Sequence, residues 1–444
     1  MQFILGDHLF QIIKMKSFKK SSIKLLAAPQ AVIAQFHNLP YAHRVTNIVK
    51  RVEALDESGV AVCLNEMMTA FNHRHINLAQ ILRDNFHKAE EQGHALSHYS
   101  TQRKHLLGAY LTKEYSFQAA ALFNPSMVPH PDQSGLKGGE QRFIMSLRAT
   151  GEGHISSIIF KTGVVNDQGG VLLDESSGLF TALKRASAQQ NALINSNPGN
   201  DIDYDLTSSA KLSLDEKVIF PSAPSEKMGM EDLRLVKFQY ENVSTYYGTY
   251  TAYDGTNIRT MLIETSDFNL FKIRSLHGAA INDKGMALFP EKVGGKFAMI
   301  SRQGSEMLSI MFSEDLYAWE NFQPLLEPQF DWEFVQLGNC GSPIKTDRGW
   351  VLLTHGVGPM RKYVISAILL DLSDPTKIIG RLEEPFIVAD EDEREGYVPN
   401  VVYTCGLLKH NNFLVIPYAI SDAATLIATV DLGEILNSMK PYIK

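Results

Sequence analysis

The chain has little cysteine: Cys63, Cys340 and Cys405 are the three in 444 residues, far apart and odd in number. That excludes a disulfide framework or a CxxC metal motif and points to a reducing compartment. Also lacking is any apolar run near the ~18 residues that a bilayer-spanning helix needs. Neither sign of charge dominates. With 42 Lys and Arg against 49 Asp and Glu, the formal net charge is −7, which argues against nucleic acid or an anionic membrane as partner. One counter-signal stands near the N-terminus. From Met15, MKSFKKSSIKLLAAPQAVIA is basic and then mildly apolar, loosely like a secretory leader. Pro29 and Gln30 break its apolar part, so a cytoplasmic protein with an N-terminal arm is expected, and export is the alternative. What is present is 44% apolar and 20% charged residues, the composition of a large folded core, long enough for two or three domains or for one repeat domain with an extension.

The pattern changes near residue 115. Before it, Val45, Ile48, Val49, Val52 and Leu55 recur at helical spacing, and further helices are expected over 60–72 and 74–92. His73-Arg74-His75 lies between the last two; a turn with polar contacts is expected there, with metal binding the alternative. After 115 the text is β-rich and repeats. FIMSLRATGEGHISSIIF begins at 143, YYGTYTAYDGTNIRTMLIET at 246 and FAMISRQGSEMLSIMFSED at 297. WVLLTHGVGPMRKYVISAILLD begins at 350 and FLVIPYAISDAATLIATVD at 413. Each is a strand opened by an aromatic, a polar turn, and a second apolar strand. The last four copies start 51, 53 and 63 residues apart, the period of a four-stranded propeller blade. The longer gap after the first copy holds the loop-like stretches GVVNDQGGVLLDESSG and NSNPGNDIDYDLTSSA. Five copies predict a mainly β fold, a five-bladed β-propeller following an α-helical N-terminal domain; two β-sandwich domains are the competing architecture.

Five residues after the opening aromatic, four copies place Arg148, Arg302, His355 and Tyr418. Equivalent positions on different blades converge on one axis, and these side chains would there suit an anion or a polyhydroxylated ligand. The bland alternative is that strand ends are simply polar. A second feature is GMEDLRLVKF, which sets Glu231, Asp232 and Arg234 at the mouth of a strand. Alternation along a strand lets only one of the two adjacent acids face a given cavity. Arg234 lies on the side of Asp232, to pair with it or to hold a ligand. A carboxylic acid in a confined site serves as general acid, although an ordinary ion pair would read the same.

Further segments run through the later repeats in order: LFPEKVGGKFAMISR, GSPIKTDRGWVLLTHGVG, ILLDLSDPTKIIGRLEEPF and EGYVPNVVYTCG. With GMEDLRLVKF, they resemble glycoside hydrolase family 130, the β-mannoside phosphorylases and related hydrolases, over roughly residues 115–435. The resemblance implies a five-bladed propeller and single-displacement inversion at the anomeric carbon of a β-mannoside. It makes Asp232 the proton donor, acting through the sugar's 3-hydroxyl. Inorganic phosphate is the attacking co-substrate, with no other cofactor and no metal. Arg148, Lys284, Arg302 and His355 are then the candidate phosphate cradle, and Asn124, Arg234, Tyr418 and Asp422 the candidate sugar contacts. Three departures from the phosphorylase pattern stand out. Lys284-Gly285 replaces an Arg-Asn pair, Leu233 replaces a Pro, and Glu152 and His154 add ionisable groups after Arg148. Hydrolytic relatives activate water with a carboxylate, for which Glu231, Glu152 and Glu395 are the candidates.

The expected organisation is an N-terminal arm (1–40), a helical domain (41–110), the propeller (115–435) and a C-terminal tail (436–444). The expected function is phosphorolysis of an oligosaccharide or glycan β-mannoside to mannose 1-phosphate. The alternatives are inverting hydrolysis and glycan binding without turnover. A homo-oligomer built through the helical domain is a further expectation.

Overall fold

The computed structural model describes residues 11–91, 96, 98–187, 203–209 and 211–442. Of the stretch NSNPGNDIDYDLTSSA, residues 203–209 are described, among them the strand Tyr204–Thr207, and the rest lies outside the described residues. Among the described residues, four helices precede the β-rich part: α1 (Ala42–Glu53), α2 (Glu57–Phe71), α3 (Leu78–Glu91) and α4 (Thr101–Tyr110). α2 starts at its N-cap Asp56, whose side chain accepts from the Gly59 N–H. α3 begins four residues later than its periodicity suggests, because Asn72–Arg74 is a separate single turn and Asn77 adopts φ 54°. The His73-Arg74-His75 cluster is a turn with polar contacts: Arg74 Nε and His75 Nε2 both meet Glu114, at 2.7 and 2.8 Å. α4 has little helical patterning to announce it and carries Gly108. Only glycine fits there, since a Cβ would come within 2.0 Å of the Leu82 carbonyl oxygen of α3.

Each of the five sequence copies is an antiparallel hairpin: Gln141–Thr150 with Ser156–Val165, Val243–Tyr253 with Ile258–Thr265, and Phe297–Gln303 with Met307–Ser313. The last two are Gly349–Val357 with Tyr363–Leu370, and Phe413–Ile420 with Ala424–Asp431. Every hairpin has a further strand on its leading side. These are Ala121–Pro129, Gly229–Tyr240, Ala287–Leu288, then Gln336–Asn339 with Ile344–Thr346, and Val402–Tyr403 with Leu408–His410. Outer strands complete the five units. The outer strand of the fifth comes from the far end of the chain: Lys19–Leu25 pairs antiparallel with Ala424–Asp431. The segment expected as an arm is therefore woven into a sheet. The expected tail likewise begins within the helix Leu432–Ser438 and adds Lys440–Pro441 beside Gly380–Arg381.

The apolar faces are buried between consecutive units. Ile144 and Phe160 of the first unit pack with Tyr250 and Phe271 of the second, and Phe238 of the second with Met299 and Trp319 of the third. Ile300 of the third packs with Leu352 of the fourth, and Leu353 of the fourth with Ile416 of the fifth. Leu408 and Val415 of the fifth pack with Met145 and Leu147 of the first, so the series returns to its start. One cavity is lined by residues from all five units, among them Val128, Val236, Pro290, Ile344 and Leu408.

Replacing Gly108 by Ala forces α3 and α4 apart. We expect about 1–3 kcal/mol of destabilisation from overpacking, read by urea denaturation, with the fluorescence of the β-rich part, where all three Trp residues lie, separating loss of the helices from global unfolding.

Candidate active site

Two irregularities in the leading strands create the site. Between Phe123 and Ser126, and again between Glu231 and Arg234, the strand carries one more residue than its partner. These are β-bulges, which bend a strand and re-aim side chains. Asn124 and Asp232 sit in the bulges with φ of 48° and 56°, left-handed values that cost a residue with a Cβ on the order of 1–2 kcal/mol. The two bulges face each other: Asn124 Nδ2 donates to Asp232 Oδ1 at 2.6 Å. The second bulge corrects the expectation that only one acid of the pair can face the site. Alternation fails across it, and Arg148 reaches both, with Nη2 2.8 Å from Glu231 Oε1 and Nη1 3.3 Å from Asp232 Oδ1.

Arg234 is buried at 3% exposure and does not pair with the Asp232 carboxylate. It donates to the Asp232 backbone carbonyl at 2.9 Å and to the Tyr403 hydroxyl at 2.6 Å, so it braces the bulge. Arg302 is nearly buried and meets the Asp283 carboxylate only at 3.9 Å. Lys284 adjoins Asp283 and lends positive charge to Asp232. At Gly285, φ 88°, a Cβ would lie 3.9 Å from Arg302 Cβ and 4.0 Å from Asn339 Oδ1. His355 stacks on Tyr363 at 5.6 Å and meets the edge of Tyr403 at 4.9 Å.

The electrostatics divide the two aspartates. Burial pushes the Asp232 carboxyl up, but Arg148, Arg234 and Lys284, with the Asn124 amide, together outweigh it and hold the group at about 2. Burial also raises Asp422, and the neighbouring Asp232 charge adds to it against Arg148 and Arg361, leaving that carboxyl at about 6. Burial, aided by Arg302 and Arg234, lowers His355 to about 3, so its imidazole is neutral at physiological pH. The buried atoms Asn124 Oδ1, Arg234 Nε, Arg302 Nε and Asn339 Oδ1 have no hydrogen-bond partner. Buried polar atoms are normally satisfied, so these four are polar capacity that the protein leaves unused. Among the described residues no three His, Cys, Asp or Glu side chains gather as a metal site.

The structure thus brings together Asn124, Arg148, Glu231, Asp232, Arg234, Lys284, Arg302, His355 and Asp422. Tyr418 is the exception. Arg148, Arg302 and His355 share their strand faces with Ile144, Ile300 and Leu353, which pack toward the following unit. Tyr418 shares a face with Ile416, which packs back against the fourth unit. The fifth copy is displaced by one residue, and a one-residue slip exchanges faces; Ala419, beside Phe123, holds the equivalent place. The four residues also lie on the second strand of each unit, while Asp232 lies on a leading strand. Glu152 faces solvent and pairs with Lys113 at 3.5 Å, and Glu395 is exposed. Among the described residues neither bonds to the Arg148 cluster. Two partners went unmarked in the sequence, Tyr403 and Asn339. Tyr403 lies inside EGYVPNVVYTCG, the motif carrying the resemblance, and was within reach; Asn339 carried no local signal.

The family described as β-1,4-mannooligosaccharide phosphorylase, glycoside hydrolase family 130, matches residues 196–441. A 1,2-β-oligomannan phosphorylase of Thermoanaerobacter sp. (strain X514) is 32% identical over 231 residues, 50% of this chain and 75% of that protein. A β-1,2-mannobiose phosphorylase of Listeria innocua is 29% identical over 241 residues, 52% of this chain and 66% of that one. Among solved structures, the β-1,2-mannobiose phosphorylase from Listeria innocua, in complex with β-1,2-mannobiose, superposes with a TM-score of 0.51 at 23% identity. That match covers 72% of this chain and 92% of the other. A glycosyl hydrolase from Bacteroides ovatus superposes at 0.51 and 18% identity, over 74% and 88% of the two chains. These two share the fold; the family match itself rests on sequence, over more than half the chain, and the chain belongs to glycoside hydrolase family 130.

Proposed function

We propose that the protein is an inverting β-mannoside phosphorylase, with Asp232 as the acid and inorganic phosphate as nucleophile. The observation that carries this reading is the pairing of Arg148 with both Glu231 and Asp232, beside Arg302, whose Nε has no hydrogen-bond partner, and with Lys284 adding positive charge to Asp232. A hydrolase needs a free carboxylate to activate water. Here Glu231 is engaged by Arg148, and Glu152 and Glu395 stand apart. A phosphorylase needs a cationic donor without a strong internal partner, which Arg302 supplies. Asn339 offers an amide beside Gly285 and Arg302, its Oδ1 without a hydrogen-bond partner. The alternative of glycan binding without turnover gives no reason to hold an aspartate in a strained bulge.

In this reading a phosphate oxygen bonds to the anomeric carbon as the bond from that carbon to the leaving oxygen breaks. The leaving oxygen takes a proton that originates on Asp232, relayed through the sugar's 3-hydroxyl. In the free protein Asp232 is held ionised by its cations. A bound phosphate neutralises part of that charge and raises the Asp232 carboxyl toward proton-carrying range, so nucleophile and acid assemble together. Asp422 and Asn124 hold sugar hydroxyls. With this reading we propose that the five units are the blades of a five-bladed propeller spanning 115–435. The cyclic series of inter-unit cores and the shared cavity support it, and with it we propose that 41–110 is a separate helical domain.

Three outcomes follow. Wild type releases mannose 1-phosphate from a β-mannoside only when phosphate is supplied, and Asp232→Asn lowers kcat by about 10²–10⁴-fold, the range of general acid catalysis. Free mannose without phosphate would establish hydrolysis instead. Arg302→Ala raises the KM for phosphate roughly 10- to 100-fold, from the ~1.5–3 kcal/mol of a charge-assisted hydrogen bond, measured by initial rates at saturating mannoside. Burial raises the Asp422 carboxyl in the folded protein to about 6, above its ordinary value near 3.8. Its contribution to stability is therefore present below about pH 4 and lost as pH rises through 6. Asp422→Asn removes that loss: melting curves should show the variant more stable than wild type by roughly 1–3 kcal/mol at pH 8 and no more stable at pH 4.

A further inference from the structure

Beyond the Asp232 cluster, a group of exposed rings and tight turns stands around the Asp422 turn with no role yet assigned. The turn Glu152–His154 follows the strand that carries Arg148, and Pro359–Arg361 follows the strand that carries His355. The loop 391–400 precedes Val402–Tyr403 and packs directly on the Asp422 turn: the Val398 N–H donates to the Ser421 carbonyl at 3.0 Å. Gly396 allows this contact, since a Cβ there would come within 2.6 Å of the Ser421 Cβ. Next to it Tyr397 is 65% exposed, and the His154 ring stacks on it at 5.7 Å and 27°. His154, Arg361, Ser421 and Asp422 all have φ between 47° and 60°. Each sits in a tight turn between paired strands, where left-handed backbone is the usual geometry, and these turns carry the His154, Arg361 and Asp422 side chains.

We propose that the stacked His154 and Tyr397 rings form a shelf for the sugar on the leaving-group side of the scissile bond, the acceptor in the reverse direction. The inference rests on the phosphorylase reading above. Asp422 and Asp232 border the sugar whose anomeric carbon reacts, so the adjoining sugar extends past the Asp422 turn, where the shelf lies. A pyranose presents a flat apolar C–H face ringed by hydroxyls. The part of the phenol ring left exposed beside His154 matches the first, and its hydroxyl, together with the exposed Arg361, matches the second.

The shelf also explains what the chain before the matched region contributes. The family match begins at 196, so it includes Tyr397 and omits His154. The turn carrying His154 is held by the strand Thr112–Ser116, which follows α4 directly. Tyr115 donates its hydroxyl to the Glu152 carbonyl at 2.7 Å, and Lys113 pairs with the Glu152 carboxylate. Gly151 lies so close that a Cβ would meet the Ser116 carbonyl oxygen at 2.3 Å. Tyr115 and Lys113 are thus positioning residues for acceptor recognition, acting through the Glu152 turn.

The test is synthesis from mannose 1-phosphate with mannose or glucose as acceptor, with both KM values measured. Tyr397→Ala and His154→Ala should raise the acceptor KM about five- to tenfold, the scale of a lost ring contact, and leave the KM for mannose 1-phosphate unchanged. Tyr115→Phe keeps the buried ring and loses one hydrogen bond, and should give a smaller rise in the acceptor KM at unchanged kcat. An unchanged acceptor KM in Tyr397→Ala, or an equal rise in both KM values, overturns the shelf. If wild type turns over no mannose 1-phosphate, the phosphorylase reading fails separately. Calorimetry of β-mannobiose against Asp232→Asn then decides the shelf: affinity that falls when Tyr397→Ala is added supports it, and affinity unaffected by that change, or no binding, refutes it.

Discussion

The site depends on one guanidinium. Arg148 stands on the first unit, and the two carboxylates it bridges stand on the second, so the contact is both an inter-unit tie and the electrostatic centre of the site. It sets two opposed conditions. Asp232 is kept ionised by Arg148 and its neighbours, whereas Asp422, facing the same Asp232 charge, keeps its proton toward neutral pH. Two carboxylates in one cluster are thus driven apart in acidity by environment alone. Burying such charges is costly unless each is paired, and removing one partner strands the other. Arg234, fixed on the bulge carbonyl and on Tyr403, prevents the bulge from relaxing into a regular strand.

What was legible in the sequence was whatever repeats locally. The aromatic, turn and second strand of each copy correspond to the five hairpins, because period-two alternation and a polar turn are sufficient to specify one. Arg148, Arg302 and His355 could be found from register alone. Tyr418 could not, because register counts from an assumed start, and Phe413 stands one place off the starts of the other copies. Bulges were equally hidden. An extra residue in a strand leaves no mark on composition, so the joint approach of Glu231 and Asp232 to Arg148 emerges only from pairing. Gly108 concealed α4 for a related reason: a residue that weakens a helix in isolation is here demanded by the closeness of the next one.

The strand Lys19–Leu25 was obscured in yet another way. KKSSIKL has the charge of a leader sequence and little alternation, and its pairing partner lies some four hundred residues later. Long-range pairings carry no local sequence signature. Their cost appears instead in chain entropy, since a loop enclosing most of the protein must close before the pairing forms.

That pairing has a consequence in time. On a ribosome adding ~5–20 residues per second, Lys19–Leu25 emerges early and must stay unpaired for roughly 20–80 s before Ala424–Asp431 exists to receive it. An orphan edge of that kind is a template for aggregation. Lys19, Lys20 and Lys24 place three positive charges in its seven residues, so nascent chains sharing one polysome repel each other at the segment where each would otherwise recruit a neighbour.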